Sequence, residues 1–169
     1  SGPRNRAVPA GCRRMGILVG KRLLDEGYDD FVIYEKAGAT GGTWRDARYP
    51  GIACDTPAHV YCYTFELNPD WSKSCAPGTE INNYLKFVSD KYRVTPHIKF
   101  NTEITNCEYH DGRWHVRSTS GMEDSADVLI TATGALTYPS TPDIPGLGTF
   151  KGPCMHTHHW QEGLDLNGK

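Results

Sequence analysis

Three groups of residues have types and spacings that could do chemistry. The densest is Gly41-Gly42-Thr43-Trp44-Arg45-Asp46-Ala47-Arg48-Tyr49-Pro50-Gly51-Ile52-Ala53-Cys54-Asp55. Its opening glycines and Pro50-Gly51 exclude a regular helix. Adjacent glycines let a backbone approach a flat ligand closely, and the Trp, the Tyr and two Asp would offer it rings and acids. The same rings would equally serve a well-packed loop as satellite core. The second group is Gly11-Cys12-Arg13-Arg14-Met15-Gly16, which has the first and third glycines of a G-x-G-x-x-G turn and Arg13 in place of the second. That middle glycine admits the backbone to a pyrophosphate; an arginine crowds the position, although its charge can meet a phosphate. Glu35 follows about 20 residues later, the spacing at which a dinucleotide site places the acid that holds ribose hydroxyls. Its alternative role is a surface charge at a strand end. The third group is Phe150 to Trp160, with His156, His158 and His159. H-x-H-H is a weak ligand spacing without a matching Cys or acid nearby, so no metal site is expected.

These groups need elements to position them. Ala7-Val8-Pro9-Ala10 would have to be the strand before the glycine turn, although Pro9 removes a ladder donor. Residues 17–26 read as a helix with Gly27 as its C-cap. Phe31-Val32-Ile33-Tyr34 is a short apolar run, as in a buried parallel strand, and delivers Glu35 at its end. Residues 57–78 are long and irregular, with Tyr61, Tyr63, Phe65 and Trp71 as either a functional loop or a packed aromatic cluster. Thr79 is expected to cap a helix running to Tyr92, with Ile81, Tyr84, Leu85, Val88 and Tyr92 as its core stripe. Ile98 to Phe100 reads as a strand. Asp111-Gly112 between alternating segments signals a hairpin over 102–119. Residues 126–131 read as another buried parallel strand, running into the small-residue turn Ala132-Thr133-Gly134. The class is therefore α/β, a parallel sheet with an antiparallel β-meander in place of a crossover helix, a plan typical of flavin-binding domains. Residues 136–152, rich in proline and glycine, read as a linker.

At 169 residues the chain is one domain or a piece of a larger one. Its net charge of -2, without a basic run, argues against nucleic acid as partner. No apolar run is long enough to span a bilayer, and the N-terminus lacks the apolar core of a signal peptide. The six cysteines show no two-residue spacing of a zinc knuckle or redox motif. They read as reduced thiols of a cytoplasmic protein.

Phe150-Lys151-Gly152-Pro153-Cys154-Met155-His156-Thr157-His158-His159-Trp160 fits F-x-G-x-x-x-H-x-x-x-W, and Gly41 to Asp55 fits [AG]-G-x-W-x(4)-[FY]-P-[GM]-x(3)-D at every specified position. On these two motifs the chain resembles the Baeyer-Villiger monooxygenases, the class B flavoprotein monooxygenases, over roughly residues 15–169. Trp160 leans toward that branch, because the related amine- and sulfide-oxidising flavin-containing monooxygenases usually place Tyr or Phe there. The chain departs from the pattern at Arg13, at Ala47 where asparagine is usual, and at Gln161 where proline is usual.

The resemblance implies a Rossmann-like FAD-binding domain, FAD as a tightly held cofactor and NADPH as reductant. It implies a flavin peroxide that inserts one oxygen atom of O2 into a ketone to give an ester or lactone. Oxidation of amines or sulfides, or a truncated FAD-binding module with no activity of its own, are the alternatives. By position, Gly11 and Gly16 would face the FAD pyrophosphate and Glu35 the adenosine ribose. Gly42, Thr43, Trp44 and Asp46 would lie along the flavin side of the central loop, and Tyr61 near the isoalloxazine. Asp55, the catalytic candidate, would orient an arginine outside this chain. Ile104 would meet adenine by its backbone, and Thr133 and Gly134 would close over the cofactor. Phe150, Gly152, His156 and Trp160 would form the linker fingerprint, His156 as a conformational coupler. The expected organisation is an atypical N-terminus at 1–14, foreign to the family pattern, then the FAD-binding domain at 15–138 and the fingerprint linker at 139–169. An NADP-binding domain is absent from the chain.

Overall fold

A computed structural model describes residues 7–168. Residues 1–6, in the stretch expected to be atypical, and Lys169, at the end of the expected linker, lie outside the described residues. The core is built around four consecutive apolar side chains. Phe31 and Ile33 join one buried cluster, while Val32 and Tyr34 join another. That division follows from the two-residue period of extended backbone. Regular strand pairing is confined to Ile33–Tyr34 (β2), half the run expected.

β2 lies in a parallel sheet with β1 (Ala7–Ala10), β3 (Ile98–Lys99) and β7 (Val128–Thr131), in the order β3-β2-β1-β7. Pro9 is thus in an inner strand, opposite Ile130, and donates nothing to the ladder. The pairing recovers immediately afterwards, where Gly11 N–H donates to the Tyr34 carbonyl at 2.7 Å.

The central loop, where no regular helix is expected, holds a single helical turn, α2 (Thr43–Asp46). The Phe31–Ile33 face is covered by α1 (Arg14–Asp25) and α3 (Gly78–Lys91), which contribute Ile17, Ile81, Tyr84, Leu85 and Val88 to the cluster. Each such side chain stabilises the fold by about 1.5–3 kcal/mol relative to exposure. α1 starts at Arg14 rather than at Ile17, with Arg13 as an extended N-cap that makes no side-chain cap bond. α3 starts at Gly78 with Pro77 as N-cap, so Thr79 lies within the helix instead of capping it. The φ of -58° that the Pro77 ring imposes already suits entry into a helix.

The Val32–Tyr34 face is covered by a meander of β4 (Ile104–His110), β5 (Arg113–Ser118) and β6 (Glu123–Ala126). Val116 and Ala126 pack on it, with Ile104, Met122 and Leu129 at the margins. The single strand expected over 126–131 is two. Ala126 ends the meander opposite Trp114, Asp127 turns the chain, and β7 enters the parallel sheet. β7 is also less buried than expected, with Val128 48% exposed, and it is an edge strand of the sheet among the described residues. The class is α/β and Rossmann-like, a parallel sheet between helices and an antiparallel meander.

Of the two readings of residues 57–78, the packed cluster is the one observed. Tyr63 stacks on Phe65 with centroids 4.9 Å apart and on Tyr84 at 5.9 Å, and Trp71 Nε1–H donates to Cys62 Sγ. The Arg14 guanidinium lies 4.3 Å from the Tyr61 ring centroid, fastening this segment to α1.

Candidate functional site

The carboxyl ends of β1, β2 and β7 open on a cavity of about 350 Å³. Gly11 and Arg13 enter it from the turn after β1, and Tyr34, Glu35 and Lys36 from the end of β2. Ile104 and Cys107 come from the first meander strand, and Thr133, Gly134, Thr137 and Tyr138 from the segment after β7. A cavity at this end of a parallel sheet is where open α/β folds take ligands.

Glu35 is 4% exposed yet reaches the cavity. One carboxylate oxygen accepts the Cys12 N–H at 2.8 Å; the other accepts the Ala37 N–H at 2.9 Å and lies 3.4 Å from Arg45 Nη1. A carboxylate has about four acceptor positions, so room for a ligand hydroxyl remains. The cause of this geometry is local: β2 ends at Tyr34, and the turn before α1 aims the Cys12 N–H at the acid. Burial, and then the charge of Glu35, push the Cys12 thiol up to about 12, against the opposing effect of Arg45.

Gly16 sits directly beneath that turn, where a Cβ would lie 2.1 Å from the Gly11 carbonyl oxygen. The Arg45 side chain forks onto Asp46, with Nε to Oδ1 at 2.6 Å and Nη2 to Oδ2 at 2.7 Å, and also bonds the Ala39 carbonyl. Asp46 is therefore engaged by its neighbour. Thr43 Oγ1 accepts from Arg13 Nη1 at 2.8 Å. Trp44 Nε1–H donates to the Tyr61 hydroxyl at 3.1 Å, with the rings edge to face, and both pack against the helical core cluster. Burial lowers the Arg13 pKa, and the charges of Asp46 and Glu35 act against that.

The cavity thus brings together Gly11, Glu35, Ile104, Thr133 and Gly134 of the sequence candidates. Gly42 and Thr43 meet it through the Arg13 side chain. Trp44 and Tyr61 are brought to each other, outside the cavity lining. Asp55 is exposed and lies outside the lining. The fingerprint is separate as well: Phe150 is 64% exposed and folds over Gly152, His156 Nδ1 accepts the His158 N–H at 3.0 Å, and Trp160 is half-buried. Sequence reasoning missed Lys36, Arg45, Thr137 and Tyr138. Arg45 had a signal in its neighbour Asp46; the other three carry none. Among the described residues no group of three or more His, Cys, Asp or Glu could hold a metal ion, and no helix is long and apolar enough to cross a membrane.

Comparison with known proteins agrees with this architecture. A family model described as flavin-binding monooxygenase-like matches residues 7–169. A Baeyer-Villiger monooxygenase of Streptomyces coelicolor is 41% identical over 156 residues, which are 91% of this chain and 30% of the relative. Among solved structures, a cyclohexanone monooxygenase from Rhodococcus sp. Phi1 bound to NADP+ superposes with a TM-score of 0.85 at 34% identity, covering 98% of this chain and 32% of that one. OTEMO in complex with FAD and NADP superposes with a TM-score of 0.86 at 30% identity, covering 100% of this chain and 34% of that one. The chain spans about a third of the length of such relatives.

Proposed function

Because the chain belongs to the flavin-binding monooxygenase-like family, we propose that it forms the FAD-binding part of an FAD- and NADPH-dependent monooxygenase. The reaction proposed is insertion of one oxygen atom of O2 into a ketone to give an ester or lactone. Trp160 in the fingerprint and the identity to a Baeyer-Villiger relative support a ketone rather than an amine or sulfide.

The observation that carries the reading is Glu35, a buried carboxylate with spare acceptor capacity at the carboxyl end of β2, facing a cavity. The residues present fit the adenosine half of FAD. A volume of about 350 Å³ is at the small end of the range for ligand sites, enough for a nucleoside and short of a whole dinucleotide. Glu35 would accept the ribose hydroxyls, Ile104 would back the adenine, and Lys36 would stand near its edge. Toward the diphosphate the fit ends at the Arg13 side chain. Trp44 and Tyr61, locked together by their hydrogen bond, would hold the central loop in place beyond it. FAD, when bound, supplies the electron carrier between NADPH and O2. The six free thiols, three of them exposed, favour a reducing compartment, and the cytoplasm is the proposed location.

Thermal unfolding tests the site. FAD at about 1 mM is expected to raise the melting temperature of the purified chain, by mass action on the folded state. Glu35→Gln, which keeps one acceptor oxygen and loses the charge, is expected to remove most of that rise. No rise in the unsubstituted chain would end the reading. Ketone-dependent NADPH oxidation that yields an ester, by the protein containing this chain, tests the reaction.

A further inference from the structure

Gly42, on the central loop, and Gly134, on the turn after β7, close on Arg13 from two sides. A Cβ on Gly42 would lie 2.5 Å from Arg13 Cγ, and one on Gly134 would lie 2.6 Å from Nη1. Both glycines have positive φ, 55° and 74°, a conformation that side-chain-bearing residues rarely adopt. The gap between them is the width of one arginine side chain, and Arg13 fills it.

Hydrogen bonds hold it there. Nη1 donates to Thr43 Oγ1 at 2.8 Å and Nη2 to Thr137 Oγ1 at 2.9 Å, while the Thr137 hydroxyl donates to the Thr133 carbonyl at 2.6 Å. Both partners of the guanidinium are neutral, and it forms no ion pair with a carboxylate among the described residues. The charges of Asp46 and Glu35 act on it only from beyond ion-pair distance, so a partly buried cation bonded to hydroxyls alone keeps room for an anion in direct contact. A dinucleotide with its ribose on Glu35 must carry its diphosphate past the N-terminus of α1, and Arg13 is the N-cap there.

We infer that Arg13 determines specificity by ending the site at the phosphates, so that the chain takes ADP at least as tightly as FAD. This rests on the adenosine reading of the cavity. The terminal phosphate of ADP gains a charge-assisted pair with the guanidinium. FAD gains the same pair, but its isoalloxazine half stays outside unless Arg13 gives up both threonines.

Calorimetric titration of the 169-residue chain with ADP and with FAD tests this. The expected result is a Kd for ADP no weaker than that for FAD, with the visible absorption of bound FAD unchanged from the free flavin. Arg13→Gly is expected to shift the preference toward FAD by about tenfold or more and to perturb the flavin spectrum. Wild-type binding of FAD about tenfold tighter than ADP, with a perturbed spectrum, overturns the inference and leaves the adenosine reading standing. An unchanged preference in Arg13→Gly also overturns it. Binding of neither nucleotide to either chain overturns both. If Arg13→Gly does not fold, the wild-type comparison decides alone.

Discussion

Cys12 is wholly buried at the tip of the turn after β1, with its N–H on the Glu35 carboxylate. Its thiol is pushed from 9.0 up to about 12, first by burial and then by that acid. Burial likewise raises Tyr84 from 10.0 to about 12, and raises Tyr63 further. Groups whose pKa is higher in the fold than in the unfolded chain stabilise the fold fully below the unfolded value, and the benefit is lost as pH rises through the folded one. Stability should therefore fall as pH rises from 9 to 12, with Cys12 the larger contributor to the onset near 9, beside Cys107 whose thiol burial also raises, and the tyrosines responsible for the decline above 10. Chemical denaturation across this window checks it: Cys12→Ala should weaken the onset and move most of the decline toward pH 10. An onset unmoved by that substitution would contradict the assignment. Glu35 could be singled out from the sequence because its spacing from the glycine turn is a local property. The proton held on Cys12 could not, since it depends on what folds over it.

The unit from β1 to β2 shows the same division among elements. Its order was legible because an apolar run, a glycine turn and a helical period each extend over a few residues. The start of α1 was not, since Arg13 and Arg14 carry no helix-start signal and the turn is set by packing against Gly11. Gly16→Ala tests that packing. The new Cβ would meet a backbone carbonyl at 2.1 Å, which no side-chain rotation relieves. The substitution should destabilise by about 2 kcal/mol through overpacking, although alanine improves helix propensity by about 1 kcal/mol. Urea unfolding of Gly16→Ala against the parent gives the number. A variant as stable as the parent would mean that α1 does not seat on the turn this closely. At the other end of the sheet, residues 126–131 form one apolar-looking run that the fold divides between two sheets. Only the meander decides that Ala126 faces Val32 and Tyr34 while β7 pairs with β1.

Across the whole molecule, the described residues after Tyr138 contribute to neither buried cluster, and their helical structure is limited to the 3-10 turns Leu147–Thr149 and Thr157–His159. Lys151 is exposed within it, so limited trypsin digestion should cut there early and leave nucleotide binding intact, because the cavity lining ends at Tyr138. Calorimetry on the nicked protein would show it, and loss of binding on nicking would place part of the site beyond that cut. The amino-acid sequence alone determined the family motifs, the α/β order with its meander, and the position of Glu35, since each is written in periodicity or turn chemistry over a short span. Tertiary structure alone decided that Arg45 captures Asp46, that Trp44 bonds Tyr61, that Asp55 and the fingerprint stand apart from the cavity, and that Arg13 closes the passage beside it. The Arg13 side chain is held by partners 30 and 124 residues away along the chain, and no local pattern encodes contacts of that range.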